Sequence, residues 1–444
     1  MDLLFFLALS FGMLLFSTLK GYFIIYPLLA SLAIFTAILL NRGFPIISLI
    51  AMAVSGSKKS FSVINILLLI GVVMSVWMAA GTVPVLVYWG IKLISPQYFI
   101  FSAFILTSVI SLLIGTSFGA ASTIGLALTI AASSSAVNPN IIGGAIIAGA
   151  YFGDRCSPMS SSANLIAVIT KTDIYTNFKN MVRTSWLPLI VSSIMYLILS
   201  LANPVELANN NLTFEISKTF NLNSITLLPA LIILILCVMK IEVKIAMTAS
   251  VIVGSAIAIF VQGYSPIELI QFALTGFKLE STSSLKDLVA GGGMLSMAKV
   301  STVVIVSTAF VGIFAGTRTL EFIKEYLNKA RSRSDLFLGT TIISLLTAAF
   351  GCTQTIAIIL THQLVEEKYS QERLKSDRLA LDLENTAVIL SPLIPWNIAG
   401  LVPATVLNVD SGFIPYAFYL YLIPIFNWRQ LIFFKAVKES IDNT

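Results

Sequence analysis

Gly153-Asp154-Arg155-Cys156-Ser157-Pro158-Met159-Ser160-Ser161-Ser162-Ala163-Asn164 sits in the middle of an apolar stretch, residues 138–170, long enough to cross a bilayer. Pro158 cannot donate a backbone hydrogen bond and frees a carbonyl one turn back. Hydroxyls and the Asn164 amide surround that break. Irregular backbone survives at membrane depth only where protein or a wet cavity satisfies it. An ionisable group such as Asp154 inside a span is costly and marks a candidate functional site. The bland alternative is an ion pair with Arg155 or Lys299 that locks helices together.

Working outward, the rest of the chain agrees. It has 444 residues, 57% hydrophobic and 11% charged, with a mean hydropathy of +0.93. A soluble domain carries about 25% charged residues, so most of this surface faces something other than water. The expected fold class is an all-α polytopic membrane protein. About ten spans are placed at 3–19, 22–40, 61–91, 138–170, 185–202, 224–239, 245–262, 293–316, 384–407 and 412–427. Two more apolar regions, 97–133 and 335–362, have polar Gly/Ser/Thr centres and read as re-entrant hairpins. Residues 44–55 read as a short interfacial helix. Leu3–Thr18 lacks a basic leader and a cleavage site, so it reads as a retained helix.

The net charge of +6 is explained by a one-sided distribution of Lys and Arg rather than by nucleic acid. Of 27 such residues the spans put 20 on one face and five (Lys20, Lys92, Lys218, Lys278, Lys286) on the other, with Arg155 and Lys299 inside spans. The rich face is therefore expected to be cytoplasmic, with both termini inside and the lipid of the cell (inner) membrane as the partner. The same count makes the first hairpin open outward and the second inward.

Fragments recur in order. Ala80-Gly81-Thr82 returns as Ala315-Gly316-Thr317, Gly115-Thr116-Ser117 weakly as Gly351-Cys352-Thr353, and Ser157-Pro158 as Ser391-Pro392. Small-residue motifs also recur wherever membrane helices pack, but one order at nearly one offset points to an inverted repeat. Paired interrupted helices in such repeats mark the binding site of secondary transporters. The expected division is an N-terminal helix (1–20), a first repeat (21–202), an external connecting loop (203–223) and a second repeat (224–444).

The second interruption is Glu384-Asn385-Thr386-Ala387 followed by Ser391-Pro392-Leu393-Ile394-Pro395-Trp396-Asn397. Glu384 reads equally as a solvated acid at the cytoplasmic entrance or as a second carrier. Trp396 reads as a substrate platform or an aromatic anchor. Candidate ion or substrate ligands are Thr116, Ser117, Asp154, Ser157, Ser160, Ser161, Asn164, Thr353, Gln354, Glu384, Asn385, Thr386, Ser391, Trp396 and Asn397. Asp154, Ser157 and Asn164 are the candidate Na⁺ ligands, since a hard cation takes oxygen donors. Cys156, Cys237 and Cys352 fit no disulfide or metal spacing. No glycine loop followed by Lys-Ser/Thr is present, so ATP is not the expected energy source. No cofactor and no enzymatic activity are expected; Na⁺ and/or H⁺ would be the coupling ions.

At these residues the chain resembles the NhaC-type Na⁺/H⁺ antiporter family. The matching pieces are Trp77-Met78-Ala79-Ala80-Gly81-Thr82-Val83-Pro84, Gly115-Thr116-Ser117-Phe118-Gly119, Gly149-Ala150-Tyr151-Phe152-Gly153-Asp154-Arg155, Ser157-Pro158-Met159-Ser160, Leu383-Glu384 and Ser391-Pro392-Leu393-Ile394-Pro395-Trp396-Asn397. The resemblance implies inverted repeats, re-entrant hairpins, alternating access and, in related folds, homodimers. It implies Na⁺/H⁺ antiport, with Asp154 carrying ion and proton and Glu384 as a second group. Two family carboxylates are replaced: Ser161-Ser162-Ala163 stand where an Asp and two Thr are usual, and Asn385 stands where an Asp follows Glu384. A serine or amide coordinates Na⁺ but carries no proton near neutral pH. The alternative is therefore a Na⁺- or H⁺-coupled carrier of a small organic acid or amino acid, whose carboxylate Arg155 or Lys299 would hold.

Overall fold

The computed structural model describes every residue except 1, 21, 59, 134, 206–209, 240, 280–290, 318–326, 443 and 444. Lys59, Lys240, Lys286, Arg318 and Lys324 of the charge count, and residues 206–209 of the connecting loop, lie outside the described residues. Helices α1 (Asp2–Leu19), α2 (Ile25–Asn41), α3 (Ile46–Lys58), α4 (Phe61–Ala79) and α5 (Thr82–Leu93) open the chain. The region 61–91 is not one rod. Gly81 adopts φ +77°, a left-handed conformation that costs a side-chain-bearing residue energy, and α4 meets α5 at a bend of 70°.

The first hairpin is α6 (Phe99–Ile114) and α7 (Ser117–Ala131), whose centre, Ala121–Gly125, is a π turn. Then come α8 (Pro139–Cys156), α9 (Ser161–Thr170) and α10 (Ile174–Ala202). The expected connecting loop is partly helical, with α11 at Asn210–Thr219. Next are α12 (Leu228–Val238), α13 (Val243–Phe260), α14 (Pro266–Thr275) and α15 (Ala298–Thr317). The second hairpin is α16 (Arg333–Gly351) and α17 (Gln354–Gln371). The interrupted pair α18 (Ser376–Leu393) and α19 (Ile398–Val406) bends by 52°. Helix α20 (Phe418–Asp442) ends the chain.

By length and composition, four described helices can cross a membrane unaided: Pro96–Ile114, Ile174–Ala202, Met294–Thr317 and Arg333–Gly351. The α4/α5 and α18/α19 pairs raise the number to six if each is one span. The short helix expected at 44–55 is α3, and it packs against α15. Gly56 abuts Gly312 and the Thr308 carbonyl while Met52 abuts Gly316, so α3 runs antiparallel along α15. Small residues permit that close backbone approach.

Packing fixes the directions that matter for the site. Gly149 lies against Phe104 and Ser108, Gly153 against Ser111 and Leu112, and Gly115 against Met159. The numbers rise together, so α6 and α8 are parallel. Helix α7 returns, with Ser117 at Asp154 and Gly125 at Ile146. In the second half Arg333 meets Asp382, Ser344 meets Thr386 and Asn397 meets Ala348, so α16 and α18 are parallel. Helix α17 returns, with Thr347 bonded to Thr361 (2.7 Å) and Thr340 to Tyr369 (3.0 Å). Helices α8 and α19 run oppositely, since Tyr151 meets Ala399 and Gly143 meets Val409. The two hairpins therefore open toward opposite ends of the molecule.

The structural register of the halves differs slightly from the sequence match. The left-handed residues at the tips are Gly115 (φ +74°) and Cys352 (φ +52°), 237 apart. The helices after the two breaks are capped by Ser160 and Asn397, again 237 apart. Ser117 thus corresponds to Gln354, one residue beyond the alignment with Thr353. The two Ser-Pro pairs fall in corresponding breaks, but the second contains an extra 3₁₀ turn, Ser391–Leu393. Gly81 and Gly316 do not correspond: one turns a bend, the other packs inside α15.

Candidate functional site

A cavity of about 680 Å³ lies where the two hairpin tips meet the first break. Its floor is made by Thr116, Ser117, Asp154, Thr353, Gln354 and Ala399. Its mouth is lined by Ile174 and Tyr175 at the start of α10 and by Ile241, Glu242 and Lys244 at the start of α13. Glu242 and Lys244 approach to 3.8 Å at this exposed rim, where such pairs contribute little.

Asp154 closes the last turn of α8 and is 4% exposed. Ser160 donates to Asp154 Oδ1 (2.8 Å) and Ser117 to Oδ2 (3.1 Å). Ser162 bonds the Ser160 hydroxyl (2.8 Å), and Gln354, which lines the same floor, donates to the Val388 carbonyl (3.3 Å). One acid therefore ties the first hairpin tip to the break, with the second tip lining the same cavity. The Ser160 hydroxyl simultaneously caps α9, accepting from the Ser162 and Ala163 amides. The α9 N-terminus adds a favourable dipole for negative charge there. Asn164 donates its side-chain amide to the Pro158 (3.0 Å) and Ser160 (2.7 Å) carbonyls at the interruption.

The structure thus brings together Thr116, Ser117, Asp154, Ser160, Ser161, Asn164, Thr353 and Gln354. Ser157 lies beside them but is fully buried, its hydroxyl accepting from the Met159 amide (3.2 Å). The candidates of the second interruption stay outside the cavity. Thr386 bonds the Asp382 carbonyl (2.6 Å) and Ser391 the Ala387 carbonyl (2.6 Å). Trp396 is buried outside the cavity lining, and its indole, which needs a buried acceptor, takes the Ala349 carbonyl (2.6 Å) at the end of α16. Asn397 bonds the Ala348 carbonyl (2.7 Å) and caps α19. These two side chains hold the second break against the second hairpin. Glu384 is not at a solvated entrance; it is 0% exposed, in a π turn, Glu384–Val388.

Neither membrane cation lines the cavity. Lys299 lies exposed in the first turn of α15. Arg155 is fully buried and points away from Asp154, donating to the Met181 carbonyl (3.2 Å), Thr184 (2.8 Å), Ser185 and Asn385. Neighbours on a helix face different ways, which separates the two charges.

Two residues escaped the sequence reading. Tyr151, one turn before Asp154, donates to the Ala399 carbonyl (2.7 Å) and joins the two interrupted helices beyond the cavity floor. Asp382 is buried, paired with Arg333 and accepting from Tyr369 (2.5 Å). Its signal was an acid within the apolar run Leu379-Ala380-Leu381-Asp382-Leu383.

The oxygen donors at Asp154 suit a hard monovalent cation as cargo. Among the described residues no cluster of three or more His, Cys, Asp or Glu could hold a resident metal ion. A cavity ending on a buried acid, between interrupted helices and opposed hairpins, defines a secondary transporter. Residues 149–432 match the Na⁺/H⁺ antiporter family, and the chain belongs to that family. It is a multi-pass membrane transporter, not an enzyme. It is 28% identical over 377 residues to the Na⁺/H⁺ antiporter NhaC of Alkalihalophilus pseudofirmus, covering 84% of this chain and 82% of that one. It is 27% identical to the malate-2H⁺/Na⁺-lactate antiporter of Bacillus subtilis, covering 82% and 79%. It is 26% identical to the arginine/ornithine antiporter ArcD of Halobacterium salinarum, covering 86% and 81%.

Proposed function

We propose that this chain exchanges Na⁺ for H⁺ by alternating access, with Asp154 binding the cation and Ser117, Ser160 and Gln354 completing its oxygen shell. The observation that carries this is the single acid on the cavity floor, bonded to the first hairpin tip and to the break, with the second tip lining the same floor. In purified protein reconstituted into liposomes, an acid interior should drive ²²Na⁺ uptake with no organic solute present. Uptake that requires a carboxylate or amino acid on the other side would overturn it.

The second reading, exchange of a small organic solute, draws support from the cavity volume, which is in the range of small-molecule pockets. Against it, Arg155 and Lys299 both lie outside the cavity, so the cation it needed is missing from the floor. The same liposomes separate the two.

The lysine and arginine bias assigns the cavity mouth to the cytoplasm, which makes this an inward-open state with both termini inside. In a background without Cys156, Cys237 and Cys352, Ser161→Cys should react with a membrane-impermeant maleimide in inside-out vesicles and not in intact cells. Labelling in intact cells alone reverses the assignment.

A further inference from the structure

The cavity is much larger than a bare monovalent cation requires. Its volume of about 680 Å³ falls in the range of pockets that enclose small organic molecules, about 300–1,000 Å³. The oxygen groups around Asp154 occupy only the floor. Above them the walls are apolar: helix α4 contributes Ile66, α6 Ile114, α7 Phe118, α13 Met247 and α19 Ile398, with Met159 from the first break. Ile114, Met247 and Ile398 are buried. Such walls give nothing to a metal ion, but they stabilise a hydrocarbon chain in proportion to the area it removes from water.

The charges select the kind of molecule. Among the described residues, the charged side chains lining the cavity are Asp154 on the floor and Glu242 and Lys244 at the rim. The floor therefore carries an acid and no base. Arg155 turns to α10 and Asn385, and Lys299 is exposed on α15. A carboxylate solute would meet like charge at Asp154. An organic cation meets an acid at its head and apolar side chains along its body. A primary ammonium suits the floor chemically, because it has three donors and no acceptor. Asp154 offers two carboxylate oxygens, and the Ser117 hydroxyl, which donates to one of them, still has lone pairs to accept with.

We infer that this cavity binds a small primary organic ammonium ion in place of Na⁺. The ammonium sits on Asp154 and the alkyl chain lies against Ile66, Met247 and Ile398. The inference rests on the cation site proposed above at Asp154, and extends it to the volume that Na⁺ does not use.

The probes are methylammonium, ethylammonium and butylammonium, all protonated at neutral pH. They are titrated by calorimetry into the purified wild-type protein in detergent. Each buried methylene should tighten binding about fourfold, so butylammonium should bind about sixty-fold more tightly than methylammonium. Na⁺ should displace butylammonium, raising its apparent dissociation constant in proportion to the Na⁺ concentration. Butyrate, of the same chain length, should not bind. Equal affinities along the series, butylammonium binding that ignores Na⁺, or binding that survives in Asp154→Asn overturns the inference. Ile66→Ser should narrow the butyl-to-methyl ratio by about tenfold. An unchanged ratio in the folded variant also overturns it, since the chain would then not lie on that wall. If Ile66→Ser does not fold, the wild-type series still decides. Na⁺ uptake driven by a pH gradient is measured on the same preparation. Uptake without ammonium binding sinks this inference alone; no uptake sinks the antiport reading, whatever the ammonium series gives.

Discussion

Asp154→Asn is expected to abolish Na⁺/H⁺ exchange while leaving a folded protein. The amide is nearly the same size as the carboxylate and can still bond Ser117 and Ser160, which now donate to Asp154. What it loses is the negative charge on the cavity floor and the capacity to hold a proton. Charge-assisted bonds are worth about 1.5–3 kcal/mol each, so losing the ionic part of two or more of them lowers the rate at least about a hundred-fold. The measurement is pH-driven ²²Na⁺ uptake beside the thermal unfolding temperature in detergent. A normal rate with normal ion dependence would mean that Asp154 only ties the first tip to the break.

Gly153→Val is expected to prevent assembly of the fold. A β-carbon at 153 would fall on the Ser111 carbonyl carbon and the Leu112 amide nitrogen, both backbone atoms of α6. No rotamer change can relieve that, so α6 and α8 must separate. Overpacking of a side chain costs about 1–3 kcal/mol even where neighbours can give, against a total stability of about 5–15 kcal/mol. Separation would also pull the Gly115 turn away from Met159 and Ser117 away from Asp154. Loss of the monodisperse peak after solubilisation checks this, with Gly153→Ala intermediate. Normal yield and unfolding temperature would show that the two helices are not so close.

Much of the fold was legible because membrane depth constrains backbone so severely. A polar, proline-bearing centre such as Ser157-Pro158 can persist in an apolar span only as an interruption. The small polar tips at Gly115 and Cys352 announced the hairpins for the same reason. The register of the halves was one residue out because Gly351 looked like the turn residue, whereas Cys352 holds the left-handed conformation. The bend at Gly81 was missed because a glycine in an apolar run also serves helix packing.

The site divided along the same line. Asp154 and the first-half hydroxyls were legible as polar groups where none is affordable without a role. Trp396 and Asn397 carry the same sequence signal but spend their polar atoms on carbonyls of α16. Composition cannot separate a group that lines a cavity from one that seals a helix end. Arg155 looked like a solute anchor, but its helical position turns it to α10 and Asn385.

The central claim is that Na⁺ and H⁺ compete for one site at Asp154. Its most direct test is the Na⁺ affinity of the purified protein, followed by calorimetry across pH. If one proton leaves for each Na⁺ bound, linkage requires the apparent dissociation constant to rise about tenfold for each pH unit lowered through the acid limb. Binding heat should vanish in Asp154→Asn. An affinity that is the same at both ends of the pH range, or unchanged by Asp154→Asn, would contradict the account.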